Sequence, residues 1–135
     1  THHIGLGYIQ GYGLKSGAVA TSISHDSHNI IVVGTNSADM AAAANHIVEH
    51  HGGIVVMENG EVKGEVVLEI AGIMSDRPLT EINTELEAAK TAAFDLGVSR
   101  GIDPFMTLSF MALPVIPKLR ITTRGVIDVE TQQYV

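Results

Sequence analysis

Hydrophobic and polar positions alternate and recur along the chain in the manner of a sheet with helices laid on it. Residues 4–14 alternate Gly with Ile, Leu or Tyr, placing glycines at 5, 7, 11 and 13. Such a row predicts a strand with one nearly bare face, against which another element or chain lies close. Lys15-Ser16-Gly17 reads as a turn and residues 18–24 as a second strand, so the two segments are expected to form a hairpin. Ile30-Ile31-Val32-Val33 is apolar at every position and predicts an interior strand. Gly34-Thr35-Asn36-Ser37 then supplies a turn and a helix N-cap, with Asp39 near the positive helix end. That helix runs to about His51, with Met40, Ala44, Ile47, Val48 and His51 at helical spacing and Gly52-Gly53 as a left-handed cap.

The sharpest local signal follows. Residues 54–57 and 62–70 flank Glu58-Asn59-Gly60-Glu61, and Asn-Gly between apolar runs marks a tight hairpin. Val62, Val66, Leu68 and Ile70 are expected on one face of the second arm, with Lys63, Glu65 and Glu69 on a wet face. Residues 71–78 read as an irregular connection with a short helical turn. A second helix starts at Pro78 or Thr80 and ends at Gly97, its stripe being Leu79, Ile82, Leu86, Ala89, Ala93 and Leu96. Residues 99–104 form a loop, and 105–113 suit either a strand or a buried helix. Pro114 and Pro117 keep the next stretch irregular, and a weak last strand covers 125–129. The pattern predicts an α/β or α+β fold: a single layered domain over residues 1–135, with a mixed, mostly antiparallel sheet and two main helices packed on it.

Composition narrows the class. At 135 residues, 45% hydrophobic and 17% charged, the chain suits one packed domain, able to bury on the order of 70% of its unfolded surface. No run approaches the ~18 apolar residues of a membrane helix, so no membrane partner is expected. A formal charge of -7 and scattered cations argue against nucleic acid as the main partner. The absence of cysteine removes disulfides, thiolate metal sites and cysteine nucleophiles, and fits a cytoplasmic protein. The start, Thr1-His2-His3-Ile4-Gly5, has neither an initiator Met nor a signal pattern, so the chain is expected to be a piece of something longer or a processed product.

Candidate chemistry concentrates in His25-Asp26-Ser27-His28-Asn29, between two apolar runs. Turn formation and capping explain Asp26, Ser27 and Asn29 well but leave His25 and His28 over. His25, Asp26 and His28 form a candidate divalent-metal site. Alternatively, Asp26 and His28 share a face of the extended chain, and the carboxylate fixes the imidazole's tautomer. A triad built from Ser27 is disfavoured, because sequence neighbours rarely reach the required geometry. His50 and His51 suit a helix C-terminus through the dipole, and His46 reads as a partly exposed helix residue. Zinc base deaminases of the Pro-Cys-x-x-Cys type are excluded for want of cysteine, and there is no Gly-rich phosphate loop.

The ordered segments carry a further likeness. Ile4-Gly5-Leu6-Gly7-Tyr8, His25-Asp26-Ser27-His28-Asn29-Ile30-Ile31-Val32-Val33-Gly34, Ala71-Gly72-Ile73-Met74-Ser75-Asp76, Pro104-Phe105-Met106-Thr107-Leu108-Ser109-Phe110 and Leu113-Pro114-Val115-Ile116-Pro117 together resemble the C-terminal region of the prokaryotic adenine deaminases. These belong to the amidohydrolase group and convert adenine and water to hypoxanthine and ammonia. The resemblance implies an upstream (β/α) barrel in which manganese or iron activates water, with this chain as the C-terminal α/β domain. It also implies adenine as the parent's substrate, a role in purine salvage, and no catalytic residue within these 135 positions, since the barrel's ligands and acid/base groups have no counterparts here. The 25–29 loop would then close over the purine pocket, support a subunit contact or bind an accessory ion. Two other readings stay open. One is a non-catalytic assembly module in a homo-oligomer, built on the Gly-rich start and the apolar 105–116 run; the other is a small-ligand or metal-binding module.

Overall fold

The structure, a computed structural model, describes residues 3–25 and 27–135. Its centre is strand β1, Ala18–Thr21, in which every residue is buried. β1 pairs antiparallel with β2 (Ile31–Gly34) on one edge and with β3 (Gly53–Glu58) on the other, and β3 pairs with β4 (Glu61–Val67). The sheet order is β2-β1-β3-β4. Alternation along β1 and β3 sends side chains to two separate cores. Ala18, Ala20, Val55 and Met57 face Ala43 and Ile47 of helix α1 (Ser37–Glu49). Val19, Ile54 and Val56 face Ala89 and Ala93 of α2 (Leu79–Asp95) together with Leu108 of α3 (Met106–Met111). A second antiparallel sheet, β5-β6-β7, comprises Leu119–Thr122, Gly125–Asp128 and Gln133–Tyr134. This is the expected antiparallel α+β arrangement, with a short third helix added.

The Gly-rich start departs from expectation. No strand forms over 4–14 among the described residues, and it makes no hairpin with β1. The reason is that both edges of β1 are taken by β2 and β3. The close approach is nonetheless present, with a different partner: a Cβ on Gly5 would overlap the Thr122 carbonyl, and one on Gly7 would crowd Val126 of β6. Further on, this segment is strapped to the end of α2. Ser99 N–H donates to the Tyr12 carbonyl at 2.9 Å, Lys15 N–H donates to the Leu96 carbonyl at 2.9 Å, and the Tyr12 hydroxyl donates to the Pro104 carbonyl at 2.9 Å. Burial pushes the Tyr12 phenol well above its ordinary range, and the nearby Asp103 charge adds to this.

β2 is an edge strand, not an interior one. Its apolar character comes from cover on both faces: Ile31 belongs to the α2–α3 core and Val32 packs on the α1 core. α1 starts at the expected N-cap, with the Asn36 side chain accepting from Asp39 N–H. Its buried stripe is Asp39, Ala43 and Ile47, whereas Val48 is 62% exposed. The left-handed position at its end is held by His51 (φ 63°) rather than by glycine. Gly52 N–H then reaches the Ile47 carbonyl at 2.9 Å and His51 N–H the Val48 carbonyl at 3.2 Å, closing the last turn.

The Asn59-Gly60 hairpin forms as predicted, with positive φ at both residues (54° and 76°). In the second arm a bulge between the Val56↔Gly64 and Met57↔Val62 pairs displaces Val62 from the face of Val66 and Leu68, leaving it 40% exposed. Ile70 lies past the strand, bridged to Met74 and 43% exposed. α2 follows its predicted span, although Leu79 at its start is 81% exposed. The 105–113 run resolves as helix, because Asp103 Oδ1 accepts the N–H groups of Phe105 (3.0 Å) and Met106 (2.9 Å) at its start. The weak last strand has β5 and β7 as neighbours, so the terminus carries more sheet than the pattern indicated.

α2 rests directly on β4 at Gly64, where an added Cβ would lie 2.7 Å from Ala89 Cα. Backbone cannot yield as a flexible side chain can, so Gly64→Ala is expected to destabilise the fold by about 1–3 kcal/mol through overpacking. Urea unfolding measures this, and an unchanged midpoint would show that the contact does not seat the helix.

Candidate functional site

β1 delivers the chain into the 25–29 loop through a set of local bonds. Ser22 Oγ accepts from Gly53 N–H at 2.8 Å and donates to the Gly72 carbonyl, tying the end of β1 to the start of β3 and to the 71–74 turn. Ser24 and Ser27 hydroxyls lie 2.7 Å apart, and His28 N–H donates to the Ser24 carbonyl at 2.9 Å. His28 itself sits in the left-handed region (φ 49°). Asp26 lies outside the described residues, so its part in the candidate metal set with His25 and His28 is not described. The two histidines have different neighbours. The His25 ring rests on Phe110 of α3, with centroids 4.9 Å apart and planes tilted by 40°. His28 lines a hollow of about 260 Å³ with Ser22, Ile47, His51 and Gly72. The loop therefore joins two parts of the molecule, α3 on one side and the end of α1 on the other, with Ser24 and Ser27 shaping the turn.

A second cluster was not singled out by sequence. His46 and His50 stand one turn apart near the end of α1, with ring centroids 4.1 Å apart. Glu65 of β4 approaches them, its Oε2 lying 2.7 Å from His46 Nε2. Donor atoms of all three residues fall within 4.8 Å of one another, and the residues are half-buried. The missed signal is two-part: the i,i+4 histidine pair is visible on the helix, but Glu65 is brought to it only by the sheet register. Sequence reading placed Glu65 on a wet face, whereas its face is the one on which α1 lies, opposite Val55.

The larger hollow, about 420 Å³, lies between the Gly-rich start, β2 and β5, with Tyr8, Tyr12, Met40, Met111 and Arg120 in its wall. Arg120 turns its Nη2 back onto the Pro117 carbonyl at 2.8 Å, and its buried Nε meets no acceptor among the described residues. The start of α1 is fixed nearby. Asp39 accepts from the Asn36 amide and from Gly60 N–H, each at 2.8 Å. Those two bonds, the Asn36 contact foremost, hold its carboxyl below the usual carboxylate range.

Residues 1–133 match the family described as the adenine deaminase C-terminal domain. The chain belongs to this family. Among similar curated proteins, adenine deaminase of Bacillus subtilis is 49% identical over 131 residues, covering 97% of this chain and 23% of that protein. Adenine deaminase of Nitratidesulfovibrio vulgaris is 49% identical over 135 residues (99% and 24%), and that of Gluconobacter oxydans 48% over 133 residues (98% and 23%). The chain thus spans about a quarter of the length of the relatives it matches. As a member of the adenine deaminase C-terminal domain family it brings the 25–29 loop, the two hollows and the His46–His50–Glu65 cluster to a larger protein. No helix among the described residues is long and apolar enough to cross a membrane.

Ser22 is the residue on which the loop's footing depends. Ser22→Ala removes the acceptor for Gly53 N–H and the donor to Gly72, so a loss of about 1–3 kcal/mol is expected. Hydrogen exchange should quicken around 53 and 70–74 ahead of α2. Uniform exchange across the molecule would show that this hydroxyl does not anchor the turn.

Proposed function

We propose that this chain is the C-terminal part of an enzyme that converts adenine and water to hypoxanthine and ammonia in purine salvage in the cytoplasm, acting beside its own upstream (β/α) barrel. The family match over residues 1–133, with 49% identity to the C-terminal quarter of proteins named adenine deaminase, carries this reading. A divalent ion, manganese or iron, held by that barrel would supply an activated water. In this reading that ion sits in the barrel, and His46, His50 and Glu65, which come from the end of one helix and an antiparallel strand of this chain, take no step of the deamination. What this domain contributes is a surface. Ile4, Leu6 and Tyr8 alternate with the glycines that lie against β5–β6 and stand 82%, 75% and 109% exposed. An apolar row of this kind suits burial against the barrel. The same row also suits self-association, which favours a homo-oligomeric parent as the second reading.

The 135-residue chain alone is expected to fold and to show no adenine deamination with added manganese. Ammonia release measured against a metal-only blank checks this, and turnover above the blank overturns the assignment of catalysis to the barrel.

Within the full-length enzyme, the 25–29 loop is the part of this domain expected to meet the barrel mouth or the substrate. His25, Ser27, His28 and Asn29, with Asp26 between them, follow the fully buried β1, so a contact made there is held rigidly. His25→Ala or His28→Ala should cost roughly ten- to a hundredfold in rate per folded molecule, the equivalent of about 1.5–3 kcal/mol for a lost charge-assisted hydrogen bond. Lys63→Ala, on the exposed hairpin arm, is the comparison. Rates equal to that of Lys63→Ala would reduce the loop to a well-formed turn.

A further inference from the structure

We infer that His46, His50 and Glu65 form a binding site for a zinc-class divalent metal ion, separate from any metal of the upstream barrel. The residue types are right: two imidazoles and a carboxylate are a common three-ligand set for such ions, with a fourth position left to water. The placement is right as well. An i,i+4 pair puts both rings on one side of α1, and the carboxylate comes from β4, whose position is fixed by its ladder with β3. All three residues offer a donor within 4.8 Å of the others, so side-chain shifts of about an ångström bring them to the ~3.4 Å separation of tetrahedral ligands held 2.0–2.2 Å from one ion.

The hydrogen bonds set the tautomers. His50 Nδ1 lies 2.9 Å from the His46 carbonyl, which can only accept, so Nδ1 carries the proton. In the neutral ring, Nε2 is then left with a free lone pair. A backbone carbonyl holding one ring nitrogen while the other ligates is the usual support of a metal-bound histidine. His46 Nε2 and Glu65 Oε2, 2.7 Å apart, share one proton between them. An ion entering here takes that proton's place: the N–H bond at His46 Nε2 breaks and its proton leaves to solvent, a solvent proton is taken up at Nδ1 so that the ring stays neutral, and Nε2 and Glu65 Oε2 each donate a pair to the metal. No redox change is involved.

A simple His46–Glu65 ion pair explains the 2.7 Å contact but not the His50 ring held beside it, whose Nε2 makes no hydrogen bond among the described residues. The site would clasp the end of α1 to the outer strand β4 across β3, so its occupation should stiffen that face of the sheet.

The test is titration of metal-stripped, tag-free 135-residue chain with Zn²⁺ by calorimetry, in a His2→Ala/His3→Ala background that removes the paired histidines at the start of the sequence. Co²⁺ titration adds the visible absorption that reports its ligand field. One equivalent is expected to bind, with a rise in the thermal midpoint. His50→Ala and Glu65→Gln should each weaken binding at least tenfold and abolish that rise. Circular dichroism shows whether each variant is folded, and His50→Ala leaves the His46–Glu65 pair intact. His25→Ala and His28→Ala should leave binding unchanged. No stoichiometric binding, binding indifferent to both His50→Ala and Glu65→Gln, or binding lost instead with His25→Ala or His28→Ala would each overturn the assignment. Because deamination is not the readout, a negative result here does not bear on the parent's activity, nor the reverse.

Discussion

Two-sided burial of β1 is the constraint from which the rest of the architecture follows. A strand with 0% exposure at Ala18, Val19, Ala20 and Thr21 needs a strand on each edge and a helix on each face. The side chains accommodate this unequally. Alanines at 18 and 20 let α1 come close through Ala43, while Val19 faces the roomier core filled by Ala89, Ala93 and Leu108. Paired and covered in this way, β1 leaves no edge for the Gly-rich segment, which is displaced onto β5–β6. The large hollow lies between that segment, β2 and β5.

Local chemistry was read correctly wherever it settles the conformation by itself. Asn59-Gly60 fixes a hairpin because both positions require positive φ. Asn36 caps α1 because its side chain accepts Asp39 N–H, and the stripe of Ala89, Ala93 and Leu96 buries α2 as its spacing demands. What escaped the sequence depends on partners distant along the chain. An apolar run covered on both faces reads alike at the edge of a sheet or in its middle, and β2 proved to be at the edge. The bulge that turns Val62 aside leaves no mark in the pattern of alternation. His51 takes a left-handed cap that two following glycines seemed to claim, because Gly52 and Gly53 are needed elsewhere: a Cβ on Gly53 would strike the Val66 carbonyl.

The candidate sites divide along the same line. The 25–29 loop stands out as a candidate in one dimension, since polar residues lie between two apolar runs. The His46–His50–Glu65 cluster does not, because its carboxylate is 15 residues beyond the second histidine and arrives through pairing of Glu65 with Val55. Its residues had ordinary explanations one at a time: a partly exposed helix position, a helix C-terminus and a wet strand face. Only their convergence gives them chemistry.

Both ends of α1 are tied to one hairpin, and this joins the separate features into one mechanical unit. At the first turn, Asp39 accepts from Gly60 N–H at the hairpin tip. At the last turn, His46 meets Glu65 in the hairpin's second arm. α1 is therefore held against β3–β4 along its length, and the turn that ends it, His51-Gly52, contributes to the wall that faces His28. Ser22 bonds to Gly53 and to Gly72, so the same wall is fixed to β1 and to the 71–74 turn. The loop's position thus depends on rigid neighbours on two sides, β1 that leads into it and the end of α1 that flanks it.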